Sequence, residues 1–155
     1  MTTSTSTTPL VGTPMPLLEL VDRAGNRTTL AHERDGRRAV VYFLRTASCP
    51  VCGRHARVLA EMAEAGELGP DVRVLLVAPG GAQEAAVLAA RIASSAVTVR
   101  ASGDGHAAAG LGTFLSVQHS GTFVVGEDGA VVYTRTAALP PQAFSRTELL
   151  AALHD

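Results

Sequence analysis

The sequence predicts an α/β fold in which a mixed central β-sheet is flanked by helices on both faces. The run Ala39–Leu44 is continuously apolar and rich in β-branched and aromatic residues, which indicates a central strand covered on both faces. A helical segment and a second apolar run, Val72–Val77, complete a βαβ unit. Two apolar strands around Glu127–Gly129 predict a closing antiparallel hairpin, which makes the sheet mixed.

The N-terminal part predicts a tail and then a small hairpin extension. Residues 1–10 are rich in serine and threonine, so we expect a disordered tail there and a single domain over residues 11–155. The short apolar run Leu17–Val21 and the segment Arg27–Leu30 flank Gly25-Asn26, a pair that suits a tight turn.

Helices are predicted between and after the strands. Apolar spacing favours helices over Arg54–Ala65 and Ala82–Ser94, and Val97–Val99 follows as a brief strand. A last helix is expected after Ser145, whose side chain would cap it, with Glu148 completing a capping box.

Composition excludes several classes of protein. A chain of 155 residues with 46% hydrophobic and 17% charged residues is globular rather than disordered. The formal charge of −1, without a basic stripe, argues against a nucleic-acid partner, and no apolar run approaches the roughly 20 residues that span a membrane. The first residues do not resemble a secretory signal, so we expect a reducing cytoplasm, where a close cysteine pair is typically catalytic or metal-binding.

The two cysteines form the segment Cys49-Pro50-Val51-Cys52 between a predicted buried strand and a predicted helix. At a helix N-terminus, free amide groups and the helix dipole stabilise an anion, which lowers a cysteine pKa and favours the nucleophilic thiolate. Cys52 follows about one helical turn later, and Pro50 suits the first turn. The spacing predicts a two-step exchange in which Cys49 attacks an oxidised group and Cys52 then forms a disulfide with it.

Two other interpretations of the cysteines stay open. Both could be small buried hydrophobic residues. Alternatively, Cys49, Cys52 and His55 could bind a metal, although no second motif supplies a fourth ligand, and no metal site is predicted. We expect His55 to be a solvated helix residue or a cation that biases the cysteine pKa.

Several stretches resemble the thioredoxin-like superfamily, in the branch that holds peroxiredoxins and their redoxin relatives. The resemblance lies in Val11–Leu20, in Asp22–Gly25, in Val40–Arg45 leading into Cys49, and in the late hairpin Gly121–Gly129. It covers most of the chain and implies a thioredoxin-like fold for a peroxiredoxin-like redoxin.

The peroxiredoxin pattern P-x-x-x-T-x-x-C is met only in part. Thr46 matches the threonine that binds peroxide, whereas Tyr42 replaces the proline and Ser120 stands where a later arginine is expected. Arg45 or Arg100 could supply that missing charge.

The pattern of thioredoxin-like disulfide oxidoreductases is also half met. The C-x-x-C is present, but Ser120-Gly121 replaces the cis-proline before the late strand. A cis bond at a non-proline residue costs about 2.5–4 kcal/mol, so we expect an altered substrate-docking loop. His119 next to it is either a general base or substrate-binding group, or a plain loop histidine.

The leading hypothesis is a thiol-disulfide oxidoreductase that reduces a disulfide or oxidised thiol. Its expected site residues are the nucleophile, the resolving thiol and a surrounding pocket: Cys49, Cys52, Thr46, Ser120, Gly121, His119 and Arg45. The alternatives are a thiol peroxidase, with Cys49 forming a sulfenic acid, and a non-catalytic redox-sensing or metal-binding module. Either enzyme needs a thiol reductant, such as a low-molecular-weight thiol or a thioredoxin system, and no bound cofactor. No feature decides the oligomeric state.

Overall fold

The computed structural model describes residues 9–103, 106, 109, 111, 113–114, 117–137 and 142–154. Residues 1–8 of the predicted tail lie outside that part. The elements in chain order are β1 Glu19–Val21, β2 Arg27–Thr29, α1 Leu30–Arg34, β3 Arg38–Phe43, α2 Pro50–Glu64, β4 Val72–Ala78, α3 Ala82–Ile92, β5 Thr98–Ala101, β6 Thr113–Phe114, β7 Val117–Gln118, β8 Ser120–Val125, β9 Val131–Ala137 and α4 Arg146–His154. None of these helices is both long enough and apolar enough to cross a bilayer.

A seven-stranded mixed sheet, in the order β2-β1-β5-β4-β3-β8-β9, organises the fold. β3 pairs in parallel with β4 and antiparallel with β8, which confirms the predicted mixed sheet. The side chains of Ala39–Phe43 are buried throughout, as the continuous apolar run predicts for a central strand. β6 and β7 form a separate two-stranded ladder.

The two faces of the sheet carry different layers. Val40, Tyr42 and Leu44 belong to the core beneath α2, α3 and α4, and this core includes both cysteines. The two βαβ connections step in the same direction across the sheet, so right-handed crossovers place α2 and α3 on one face. The opposite core contains Leu30 of α1, together with Ala109 and Leu111.

Both predicted hairpins are confirmed, whereas two helices differ by a few residues from the segments that apolar spacing predicts. β1 pairs with β2, and β8 pairs with β9, each antiparallel. α2 begins at Pro50, before the periodic segment Arg54–Ala65, with Cys49 as its cap and Pro50 in its first turn as the cysteine motif predicts. α3 ends at Ile92, since Ala93 adopts the left-handed conformation.

The last helix has half of the predicted capping box. The Glu148 N–H donates to Ser145 Oγ at 3.3 Å, so the predicted cap is confirmed. The Glu148 carboxylate does not return to the Ser145 backbone, because it accepts hydrogen bonds from Tyr133 Oη at 3.0 Å and Arg135 Nη1 at 2.8 Å. This helix end is therefore tied to β9.

Candidate active site

Cys49 occupies the N-cap position of α2, where the sequence places it. Its backbone is extended, with φ −61° and ψ 121°. The Cys52 N–H donates to Cys49 Sγ at 3.4 Å, and the Cys49 carbonyl accepts from the Gly53 N–H at 2.8 Å. The sulfur therefore lies against free amide groups at the positive end of a 15-residue helix, where a thiolate is stabilised.

Cys52 lies deeper in the same core. Its side chain is completely buried, and its sulfur accepts a hydrogen bond from the Arg45 N–H at 3.3 Å. Both thiols are free, and Cys49 is only 2% exposed. The nucleophile candidate thus lies at the helix tip, flanked by the exposed residues Ser48 and Pro50, with Cys52 behind it.

The two thiols differ in acidity. Burial opposes ionisation of Cys49, but hydrogen bonds from the Cys52 thiol and N–H and from the Arg45 guanidinium outweigh it, so the pKa of Cys49 is lowered. Burial, together with its role as a donor to Cys49, raises the pKa of Cys52 to about 11. As the pH rises, the first thiolate to form is therefore that of Cys49.

Arg45 is the arginine that reaches this site. It lies two residues after the end of β3 and is half-buried, and its guanidinium places a positive charge and a hydrogen-bond donor beside Cys49. Arg100, the other arginine considered from the sequence, instead forms an ion pair with Glu33 and donates to the Val99 carbonyl.

His55 is half-buried and not the solvated helix residue that the sequence suggests. Its Nδ1 lies 2.9 Å from the hydroxyl of Tyr42, a fully buried residue of β3. The ring of Phe144 packs against His55 at 5.1 Å and against Tyr42 at 6.1 Å between centroids. Burial and the charge of Arg54 lower the pKa of His55, so it is neutral at pH 7 and is not a cation beside the cysteines.

Thr46 and His119 border the site in different ways. Thr46 is exposed, and its carbonyl accepts a hydrogen bond from the Cys49 N–H at 3.4 Å. Its contact with the cysteine motif therefore runs through the backbone. His119 is half-buried and immediately precedes β8.

Ser120 and Gly121 belong to strand β8, so the prediction of a docking loop at these residues is wrong. They pair with Ala137 and Thr136 of β9, because the strand begins earlier than its apolar run suggests. Side chains alternate along a strand, so Ser120 shares the cysteine face with Thr122, while Gly121 faces Leu111 on the opposite side. Peptide bonds of the described residues are all trans.

Arg91 on α3 is a site residue that sequence reasoning missed. Its guanidinium donates to the carbonyls of Ala47 and Cys49, which fixes the loop that leads into α2. It also lies against Gly53, where an added Cβ would come 2.9 Å from the Arg91 Cζ. A glycine inside a helix was the available signal, since nothing in the alanine-rich helix marks Arg91.

The metal interpretation finds no support in the described part of the chain. No group of three or more histidine, cysteine or acidic residues there is arranged to hold a metal ion. His55, the expected third ligand, directs Nδ1 to Tyr42 instead.

A family model described as Redoxin matches residues 10–153. The chain belongs to the Redoxin family. With two free thiols at a helix N-terminus, it is a thiol-dependent oxidoreductase. No curated protein sequence matches the chain.

Solved structures confirm the thioredoxin-like fold. A peroxiredoxin-like protein from Aquifex aeolicus superposes with a TM-score of 0.79 at 15% identity, covering 95% of this chain and 87% of that one. Peroxidoxin BcpB from Mycobacterium tuberculosis gives 0.74 at 18% identity, covering 94% and 97%. A secreted disulfide oxidoreductase from the same organism gives 0.58 at 19% identity, covering 88% and 93%. These similarities concern the fold.

Proposed function

We propose that this redoxin is a thiol-disulfide oxidoreductase that reduces a disulfide or an oxidised thiol with the Cys49–Cys52 pair. The observation that carries the proposal is the difference between the two thiols. Cys49 is at the helix tip with a lowered pKa, and Cys52 is buried behind it with a raised pKa. Such a pair suits a nucleophile and a resolving thiol, respectively.

The reaction proceeds by two displacements. The Cys49 thiolate attacks one sulfur of the substrate disulfide, forms a mixed disulfide and releases the other sulfur as a thiolate. The Cys52 thiolate then attacks Cys49 Sγ, which forms the Cys49–Cys52 disulfide and releases the second substrate thiol. The substrate gains two electrons, and the protein dithiol loses two.

Neighbouring residues support these steps in distinct ways. We assign the Arg45 guanidinium to stabilising the Cys49 thiolate. Thr46 is exposed, so we assign it to the edge of the site, which the substrate passes to reach Cys49. Ser120 Oγ is buried on the cysteine face without a hydrogen-bond partner among the described residues, so it and adjacent His119 suit substrate positioning. Gly121 is assigned to packing, because it faces the other core.

Trapping tests the assignment of the two cysteines. Since the chain contains only two cysteines, any mixed disulfide in Cys52→Ser must be at Cys49. We expect Cys52→Ser to accumulate a stable adduct with a small disulfide, detected by intact-mass spectrometry, and Cys49→Ser to react far more slowly. Equal adduct formation by the two variants, or adduct only in Cys49→Ser, would contradict the proposal.

A second candidate function is thiol peroxidase, and the position of Arg45 favours it. A cation beside the nucleophilic sulfur is what peroxide reduction requires to stabilise the thiolate and polarise the O–O bond. In that reaction Cys49 becomes a sulfenic acid, and Cys52 displaces hydroxide to form the disulfide. Stopped-flow oxidation of the reduced protein by hydrogen peroxide, beside a small disulfide, separates the candidates: the faster oxidant identifies the substrate class.

Either reaction needs a reductant to restore the dithiol. We propose a low-molecular-weight thiol or a thioredoxin system as this partner, and the reducing cytoplasm as the compartment. An antioxidant role follows only if hydrogen peroxide is the faster oxidant.

A further inference from the structure

Three side chains, those of Cys52, Tyr42 and His55, form a row behind Cys49. The Tyr42 hydroxyl lies 2.9 Å from His55 Nδ1, and it is close enough to the Cys52 thiol to lower the pKa of that thiol. Tyr42 and Cys52 are completely buried, whereas His55 is half-buried one helical turn after Cys52. The row therefore runs from the buried sulfur to a ring that reaches solvent.

The second displacement requires that Cys52 be deprotonated, and this row of side chains can take up its proton. Cys52 must lose its proton to attack Cys49, yet water has no access to a completely buried thiol. In the mixed disulfide the Cys49 charge no longer raises the pKa of Cys52, but burial still does, so the neutral thiol remains favoured over the thiolate. A base within hydrogen-bonding reach would remove the proton as attack proceeds.

We propose that Tyr42 and His55 form a proton relay that deprotonates Cys52 while it attacks Cys49. The proposal rests on the proposed function, because it concerns the resolving step of that exchange. His55 is neutral at pH 7, and the relay uses the tautomer in which Nδ1 carries no proton and accepts from the Tyr42 O–H. Once Cys49 is in the mixed disulfide and is no longer a thiolate, the Cys52 S–H no longer donates to Cys49 and donates to Tyr42 Oη instead.

The proton and electron balance is closed. The Cys52 proton moves to Tyr42 Oη, while the Tyr42 proton moves to His55 Nδ1. Burial raises the pKa of Tyr42 well above its usual range, so the two protons move together without a phenolate. The Cys52 electron pair forms the bond to Cys49 Sγ, and the bond between Cys49 and the substrate sulfur breaks. The leaving substrate thiolate takes a proton from solvent, and His55 gives the proton it has gained back to solvent.

Packing keeps the side chains of the relay in position. The ring of Phe144 contacts both His55 and Tyr42, so neither side chain can turn away freely. The groups that face His55 are the Tyr42 hydroxyl and the charge of Arg54, and beyond Tyr42 lies Cys52. Arg54 lowers the pKa of His55, which keeps the base unprotonated at neutral pH.

Dithiobis(nitrobenzoate) tests the relay, because each displacement releases one coloured thiolate from it. We expect Tyr42→Phe and His55→Asn to leave the first release within about twofold and to slow the second by roughly 100-fold or more, the size of a general-base effect. The matched control is His32→Asn, which alters an exposed histidine of α1 on the other face of the sheet and should change neither phase.

The pH profile separates a relay from a packing effect. In the unaltered protein the rate of the second release should level off above the lowered pKa of His55. In His55→Asn it should rise about tenfold per pH unit through neutral pH, because the rate then follows the small equilibrium fraction of Cys52 thiolate, which grows tenfold per unit below the raised pKa of Cys52. A second release at the unaltered rate in both variants, or unchanged profiles, would overturn the relay. Absence of the first release in the unaltered protein would refute the proposed function, and the relay with it.

Discussion

Replacing Arg45 with methionine tests what sets the acidity of the nucleophile. The substitution keeps much of the side-chain volume and removes the guanidinium that hydrogen-bonds to Cys49. A hydrogen bond to a charged group contributes about 1.5–3 kcal/mol, and 1.36 kcal/mol corresponds to one pKa unit. Because Arg45 is half-buried, solvent screening reduces this contribution, and we expect the pKa of Cys49 to rise by about one unit.

The assay is the pH dependence of alkylation by iodoacetamide, which reacts with the thiolate. It is run with Cys52→Ser as the background, so that Cys49 is the single thiol. Arg57→Met, at an exposed position of α2, also removes one positive charge and serves as the control. An unchanged profile in Arg45→Met, or an equal shift in Arg57→Met, would refute a direct role for Arg45.

Two further predictions concern stability. Burial lowers the pKa of His106 from about 6.5 to about 4, so the unfolded chain binds more protons between these values. Stability should therefore fall by roughly 3 kcal/mol as the pH drops through this window. In His106→Asn the free energy of unfolding, measured with urea, should depend less steeply on pH than in the unaltered protein. Equal pH dependence in the two proteins would contradict this prediction. Gly53→Ala should cost about 1–3 kcal/mol through overlap with Arg91, and clearly less in an Arg91→Met background; an equal cost in both backgrounds would exclude that overlap as the cause.

The central strand could be predicted from the sequence because burial on both faces leaves an unbroken apolar run, as in Ala39–Leu44. Apolar spacing alone begins α2 too late, at Arg54, because Pro50 and Gly53 in its first turn carry no helical periodicity, whereas the cysteine motif locates the N-terminus of this helix correctly. The start of β8 was missed because it also lacks a local pattern. Ser120 and Gly121 have no strand pattern, and their pairing with β9 is a tertiary effect.

Of the candidate site, the spacing of Cys49 and Cys52 predicts their arrangement at the helix tip, because capping is a local property. The contacts of His55 and Arg91 could not be predicted. The bond between His55 and Tyr42 depends on how α2 is rotated over β3, and Arg91 reaches the cysteine loop from a separate helix. Sequence spacing carries no information on packing between elements so far apart in the chain.

The most direct test of the proposed function is to identify which sulfur atoms become oxidised when the protein reduces a disulfide. The reduced protein is treated with one equivalent of a small disulfide and analysed by intact mass and peptide mapping. The account predicts two released substrate thiols and an intramolecular disulfide between Cys49 and Cys52. Two thiols that remain reduced, or cysteines that end as separate adducts, would contradict it.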